Sequence, residues 1–200
     1  EVVVQEGNQR AMTEMLREDQ LDLMLCNLVN QEGELEYEHL CWDPVIFLVQ
    51  SAHPCCRYAR YRDTFYHPWI DLREFEQEIF ILQHQGQSLR QYSDQLLEEA
   101  GLSPQRITRI RNIETAAQMA ANGLGVSFCL ESYFRHMMFI QPPYRFSVGE
   151  RQLAADFSAA YRRGRQLPEY TVQFIHLLKN LMEMEVGRMV EMDKSVNKNL

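Results

Sequence analysis

Short apolar runs alternate with helical patterns along most of the chain, and this alternation constrains the fold more than any other feature. The runs that predict strands are 21–26, 78–83, 106–111 and 126–130, and those at 21–26 and 126–130 have the composition of buried strands. Helical patterns at 89–100 and 114–122 separate the last three runs and end at Gly101 and Gly123. Strands that alternate with helices predict an α/β fold with right-handed crossovers.

The remaining segments extend this pattern towards both ends of the sequence. Further strands are predicted at 2–5, 36–41, 44–49, 142–148 and 152–160, and further helices at 8–19 and 169–189. The nearly continuous apolar run at 21–26 favours a parallel sheet that is covered on both faces. Residues 52–72 show no regular pattern, and residues 191–200 are expected to form a loose tail.

Charge and cysteine usage narrow the functional classes. The net charge is −8 and the pI is near 5.3, so these 200 residues should be repelled by phosphate backbones and are not expected to bind DNA themselves. The five cysteines include no C-x-x-C pair, which favours a reducing cytoplasm over a disulfide scaffold. No apolar run approaches the roughly 20 residues of a membrane span, and residues 1–7 lack the features of a signal peptide.

The alternation also predicts where a ligand would bind. Open parallel sheets bind ligands beyond the carboxyl ends of their strands. The turn at 84–88 joins such a strand to a helix, and its free backbone N–H groups and helix dipole would favour an anion. Ser88 would either donate to a carboxylate or cap the helix, and Gly86 would admit positive φ. Further candidate effector-binding residues follow other strands or line these turns: Cys26, Asn27, Gln50, Ser51, His84, Gln87, Asn112, Thr115 and Phe128.

Several of these candidates have a structural alternative. Phe128 follows the glycine turn and would line the pocket, although a buried aromatic residue in a short strand is usually a core residue. Cys26, Asn27, Gln50 and Ser51 are candidates by position alone.

Catalysis and metal binding are not expected. The sequence contains no G-x-S-x-G nucleophile elbow or comparable context, so no catalytic residue and no cofactor are predicted. The spacing of His39, Cys41, His53, Cys55 and Cys56 matches no zinc finger or ribbon, so no metal site is predicted either.

Several stretches resemble, in order and spacing, the effector-binding domain of LysR-type transcriptional regulators. The most specific is E-T-A-A-Q-M-A-A-N-G-L-G-V-S-F-C-L-E-S-Y at 114–133, which resembles the family's helix, Gly-Leu-Gly turn, strand and following helix. The other similar stretches are VVVQEG at 2–7, LDLMLC at 21–26, FLVQSAHP at 47–54, EIFILQHQGQSLR at 78–90 and the closing helix at 167–178.

This resemblance implies a particular architecture: two Rossmann-like lobes joined by two crossing strands, of the type 2 periplasmic-binding-protein-like class. The first lobe would hold 1–50 and 150–190, and the second 51–149, with hinge strands near 47–51 and 146–152. The family's first strand and helix have no counterpart here, and residues 55–66 are longer and more basic than the usual connection.

The resemblance also implies a function. The chain would be the sensing domain of a bacterial regulator, binding a small anionic effector in the cleft between the lobes and assembling as a homodimer or tetramer. DNA would be bound only through an N-terminal winged helix-turn-helix, which these residues do not contain. The alternative is a solute-binding protein of a transport system, which shares the two-lobed fold.

Overall fold

The computed structural model describes residues 2–196, with side chains described up to residue 182. The chain divides into two compact units, of which unit 1 comprises Glu1–Trp42 and Asp156–Leu200 and unit 2 comprises Asp43–Ala155. The helices and strands are α1 (Gln9–Arg17), β1 (Met24–Leu28), β2 (Leu35–Val49), β3 (Ile79–Leu82), α2 (Ser88–Glu99), β4 (Arg106–Arg109), α3 (Ile113–Ala121), β5 (Val126–Leu130), α4 (Glu131–Arg135), β6 (Tyr144–Phe146), β7 (Ala154–Arg162) and α5 (Glu169–Val196).

Unit 1 is a small sheet in which β7 lies between β1 and the first part of β2. Asn8 caps α1 as the sequence predicted, because its Oδ1 accepts a hydrogen bond from the Ala11 N–H at 2.9 Å. One core cluster packs α1 on the sheet through Leu16, Met24, Leu35 and Ala160. A second contains Leu40, Ala159 and Ile175 and holds the start of α5.

Two sequence predictions for unit 1 are corrected by the structure. Residues 2–5 form no strand, and Val2, Val3 and Val4 are 90%, 69% and 80% exposed, because no described strand lies beside them. The run predicted at 21–26 forms a strand only from Met24, and it pairs antiparallel with β7 rather than in a parallel sheet. Its apolar composition reflects packing on α1.

Unit 2 contains the α/β part of the molecule, with strands in the order β2, β5, β3, β4. β3 pairs in parallel with both β4 and β5, while β2 pairs antiparallel with β5 and β6. One face of the sheet carries an aromatic core in which Phe47 contacts Phe75, Phe80 and Phe128. The other face packs on α3 through Ile46, Leu48, Ala117, Ala120 and Cys129.

Strand β2 is longer than the sequence indicated. The strands predicted at 36–41 and 44–49 are one strand that continues through Pro44, where Val45 donates its N–H to the Leu153 carbonyl at 2.9 Å. The chain passes from unit 1 to unit 2 between Trp42 and Asp43, within β2, and returns to unit 1 between Ala155 and Asp156. The sequence prediction put these boundaries near 50 and 150.

The C-terminal helix is also longer than expected. α5 begins at Glu169, directly after Pro168, as predicted. It runs to Val196, so residues 191–196, expected to be a loose tail, are helical, whereas 197–200 lie outside the described residues. The segment is rich in Met, Glu and Lys, which favour helix, and contains no proline. Within the part of the chain described, no helix combines the length and apolarity that crossing a membrane would require.

Candidate ligand site

Two helix N-termini lie at the edge of unit 2 where β3, β4 and β5 end, which we call the carboxyl edge. In a crossover unit the chain leaves a strand at this edge and the next helix begins there. α2 begins at Ser88, six residues after the end of β3, and α3 begins at Ile113, four residues after the end of β4.

The start of α2 has several free hydrogen-bonding groups. Its N-cap is Gln87, whose side chain makes no capping hydrogen bond, so Ser88 is the first helical residue and not the cap. Among the described residues, the Ser88 hydroxyl and the N–H groups of Ser88 and Leu89 have no hydrogen-bond partner. Gly86 adopts φ of +89°, as the turn required, and a Cβ there would meet no atom within 4 Å. Ser88 was predicted either to donate to a carboxylate or to cap the helix, and the structure shows that it does not cap the helix.

The start of α3 is capped but still offers donors. Asn112 is the N-cap, and its Oδ1 accepts from the Thr115 N–H at 2.8 Å. The N–H groups of Ile113 and Glu114, and the Thr115 hydroxyl, have no partner in the described part of the chain. Asn112 therefore acts as the cap, with its Nδ2 group still available, while Thr115 is exposed.

One side chain ties the two helix starts together. The Gln87 Oε1 accepts a hydrogen bond from the His84 N–H at 3.1 Å, and its Nε2 donates to the Arg111 carbonyl at 3.0 Å. Because Arg111 directly precedes the cap of α3, this bond holds the two N-termini at neighbouring positions. Gln87 was predicted to contact the effector, but both ends of its carboxamide are engaged within the protein.

The most unusual polar side chain at this edge is that of Gln83, which was not among the candidate effector-binding residues. It is the residue that follows β3, it has no exposed surface, and neither its Oε1 nor its Nε2 has a hydrogen-bond partner in the described structure. The available signal was a glutamine directly after the apolar run IFIL at 79–82.

The other predicted site residues lie elsewhere. Gln50 and Ser51 follow β2 at the opposite edge of unit 2, where β3 and β5 begin; a Cβ on Gly123 would come within 2.6 Å of the Gln50 Oε1. The Phe128 ring is 1% exposed and belongs to the aromatic core, which matches its structural alternative. The structure thus does not bring these three residues to the two helix starts.

Cys26 and Asn27 lie on β1 of unit 1. Cys26 packs on the cluster around Leu16, and burial raises the pKa of its thiol to about 11. The Oδ1 of Asn27 is buried without a hydrogen-bond partner among the described residues.

A charged network occupies the end of β5. Glu131 is 1% exposed and accepts hydrogen bonds from His67 Nε2 at 2.8 Å, Arg145 Nη1 at 2.7 Å and Arg135 Nε at 3.3 Å. Burial alone would raise the pKa of Glu131, but the His67 hydrogen bond and the charges of His67, Arg145 and Arg135 outweigh it and lower the pKa to about 2. The carboxylate is thus ionised and saturated, which makes it a structural group.

A second buried carboxylate lies nearby. Asp43 accepts hydrogen bonds from the N–H and hydroxyl of Ser132, while burial raises its pKa. Neither Asp43 nor Glu131 was among the candidate site residues, because the roles of both depend on partners far along the chain, Ser132 and His67.

The side chains of unit 1 include a serine, a histidine and an aspartate that lie close together. Asp156 accepts a hydrogen bond from Ser158 Oγ at 2.7 Å and pairs with His39 Nδ1 at 2.7 Å, so Ser158 contacts the acid and not the histidine. Burial raises the pKa of Cys56 to about 11 and that of Cys129 to about 12, so both thiols are protonated at neutral pH. Among the residues described, no three His, Cys, Asp or Glu side chains are grouped to hold a metal ion.

Comparison with known proteins gives consistent matches. The sequence profile of the LysR substrate binding domain matches residues 1–183. An uncharacterized HTH-type transcriptional regulator of Bacillus subtilis (strain 168), YybE, is 30% identical over 116 residues, which are 58% of this chain and 37% of the relative. The RuBisCO operon transcriptional regulator of Allochromatium vinosum is 22% identical over 120 residues, 60% of this chain and 37% of the relative. The chain therefore matches little more than a third of the length of these relatives.

Solved structures share the fold. The regulatory domain of Synechocystis PCC6803 CcmR, in complex with 2-PG, has a TM-score of 0.74 at 18% identity, covering 90% of this chain and 83% of that one. The effector binding domain of BenM with its effector benzoate has a TM-score of 0.72 at 16% identity, covering 92% and 78%. The effector binding domain of QuiR in complex with shikimate has a TM-score of 0.68 at 18% identity, covering 86% and 77%.

Proposed function

Because the chain belongs to the LysR substrate binding domain family, we propose that it senses a small anionic metabolite on behalf of a bacterial DNA-binding transcriptional regulator. The observation that carries the anionic part of this proposal is the pair of helix N-termini tied together by Gln87. The similar domains of CcmR, BenM and QuiR are described in complex with 2-PG, benzoate and shikimate.

The chemistry of the carboxyl edge supports a carboxylate or similar anion. Free N–H groups at the first turn of a helix carry partial positive charge and bind oxyanions without a fixed cation. Here the N–H groups of Ser88 and Leu89, with those at the start of α3, supply donors, and the hydroxyls of Ser88 and Thr115 add two more. The acidic chain needs such local donors, since its net charge of −8 would otherwise repel an anion.

The regulatory part of the proposal is supported by the relatives, which are named as transcriptional regulators. In such a cytoplasmic regulator, DNA would be bound by an N-terminal winged helix-turn-helix, and the sensing domains would pair as a homodimer or tetramer. An effector that binds one conformation of the assembly more tightly than another would shift the equilibrium towards that conformation.

The test is a ligand screen followed by calorimetry on variants of the two helix starts. A thermal-shift screen of organic and inorganic anions identifies a binder, because ligand binding raises Tm by mass action. With that binder, Ser88→Ala and Thr115→Ala should each weaken binding by about 10- to 100-fold, since each removes one hydrogen bond to a charged group worth about 1.5–3 kcal/mol.

Ser103→Ala is the matched control, because this exposed serine lies beyond the C-terminal end of α2. It should leave the dissociation constant unchanged. Equal affinity in the Ser88, Thr115 and Ser103 variants would place the anion site outside the carboxyl edge.

A further inference from the structure

Gln83 is buried in a state that costs stability. Its side chain has no exposed surface, and both carboxamide atoms lack hydrogen-bond partners among the described residues. Buried polar groups in folded proteins are almost always satisfied, and those that are not commonly serve a ligand or an ordered water. An apolar side chain of similar size at this position would avoid the penalty. The glutamine therefore requires an explanation outside the packing of unit 2.

The sheet geometry places Gln83 beside the start of α3. Leu48 packs on α3, and its cross-strand partner Ser127 lies on the same face. Ile81 is in register with Ser127, so it also belongs to the α3 face, and Gln83 follows it by two residues. Gln83 thus lies on the face that α3 covers and at the edge where α3 begins. Its own carbonyl accepts from Arg90 Nη1 at 3.1 Å, which fixes the backbone there.

The unpartnered groups select the chemistry of what they bind. The Nε2 group needs an acceptor and the Oε1 atom needs a donor. A carboxylate offers only acceptors, and an ammonium group offers only donors and would also be disfavoured beside the N-terminus of α3. A hydroxyl group both donates and accepts, and it is small and uncharged.

We propose that Gln83 is a specificity-determining residue that binds a hydroxyl group of the effector, so that the effector is a hydroxycarboxylate. The effector's carboxylate accepts hydrogen bonds from the N–H and hydroxyl groups at the starts of α2 and α3, and its hydroxyl group pairs with the Gln83 carboxamide. This inference rests on the proposed function, because it assumes that an anion binds at the carboxyl edge. The carboxamide is covered in the present conformation, so the side chains over it move when the hydroxyl group binds.

The first measurement needs no ligand. Gln83→Met keeps the length of the side chain and removes the unsatisfied groups, so the ligand-free domain should gain a few degrees in Tm, at about 2–4 °C per kcal/mol for a chain of this size. Gln83→Leu serves as a second apolar variant. If Gln83 instead holds a structural water, both variants should have a lower Tm than wild type. That result would overturn the proposal.

The second measurement uses pairs of carboxylates that differ by one hydroxyl group: lactate and propionate, malate and succinate, mandelate and phenylacetate. In at least one pair the hydroxylated member should bind the wild-type domain about tenfold more tightly or better, a difference of about 1.4 kcal/mol. Gln83→Met should remove that preference by weakening only the hydroxylated member. Ser88→Ala should weaken both members and leave the preference in place.

The outcomes separate the two hypotheses. If both members bind equally well, or if Gln83→Met retains the preference, the role of Gln83 is refuted, while a loss of affinity for both members in Ser88→Ala still supports the anion site. If no carboxylate of the panel raises the Tm of the wild-type domain but another anion of the screen does, the role of Gln83 is refuted and the anion site stands. If no anion of either set raises the Tm, both hypotheses are refuted.

Discussion

The two edges of the sheet in unit 2 are built in opposite ways. At the amino edge, where β3 and β5 begin, the backbone is packed closely: a Cβ on Gly125 would lie 2.3 Å from the Ile79 carbonyl oxygen. At the carboxyl edge, a Cβ on Gly86 would meet nothing within 4 Å, and the Ser88 hydroxyl has no partner in the described structure. The amino edge is tightly packed, whereas the carboxyl edge has open space and hydrogen-bond donors that are unpaired among the described residues.

This difference separates stability from function within one small domain. Close packing at the amino edge fixes the register of β5 against β3, so an added atom there must displace backbone. At the carboxyl edge the buried carboxamide of Gln83 has no partner among the described residues, which costs stability, and such costs concentrate at sites that bind ligands. We therefore expect substitutions at the amino edge to change mainly stability and those at the carboxyl edge to change mainly ligand binding.

The largest expected effect is the loss of stability in Gly125→Ala. Gly125 has φ of +149° and no room for a Cβ against the Ile79 carbonyl oxygen, so the substitution should cost about 4 kcal/mol or more and leave much of the domain unfolded. The measurement is urea unfolding at pH 7, followed by circular dichroism.

Gly86→Ala is the matched variant at the other edge. Its φ of +89° also disfavours a side chain, but the surrounding space is open, so only the conformational cost of about 1–2 kcal/mol is expected. Equal destabilisation by the two substitutions would mean that the edges do not differ in packing.

The buried carboxylate of Glu131, at the end of β5, should contribute about 3 kcal/mol to stability, which is less than the expected effect of Gly125→Ala. The pKa of Glu131 is lowered to about 2 from its usual value of 4.5, so its contribution is complete above pH 4.5 and is lost as the pH falls towards 2. Wild-type stability should therefore decline over that interval. Glu131→Gln should be less stable than wild type at pH 7, and the difference should shrink at pH 3.

The control for this pH dependence is Glu76→Gln, which removes an exposed carboxylate from the same unit. Urea unfolding at pH 7 and pH 3 should give the same difference from wild type for this variant at both values. If Glu131→Gln behaves in the same way, the Glu131 network does not contribute to stability through its charge.

The order of strands and helices in unit 2 could be predicted because it is encoded locally. Apolar runs of four or five residues, glycine helix ends and the Asn112 cap each lie within a short stretch of sequence. The same local patterns led to Ser88 and Thr115 as candidate ligand residues. Pairings between distant strands are not encoded in this way, so the antiparallel pairing of β1 with β7 was not anticipated.

Two further features depend on contacts that no short stretch of sequence records. Gln50 was grouped with the ligand residues because the hinge was expected near 47–51, whereas the units divide between Trp42 and Asp43, where β2 is still a continuous strand. The isolation of Gln83 could not be predicted, because the absence of a partner depends on every residue that packs around it.

The smallest expected effect is that of Gln50→Ala on effector binding. Gln50 lies at the amino edge, where its carbonyl accepts hydrogen bonds from the His53 N–H at 2.9 Å and the Cys56 thiol at 3.6 Å. Both bonds use the backbone and survive the substitution, and the side chain lies beside Gly123 at the opposite end of the sheet from Thr115. Calorimetry with the anion found by screening should therefore give an affinity within about twofold of wild type, since substitutions away from a site change the free energy by about 0.5 kcal/mol or less. A tenfold loss in Gln50→Ala, with Thr115→Ala unchanged, would reverse the assignment of the two edges, and the ligand would then bind where β3 and β5 begin.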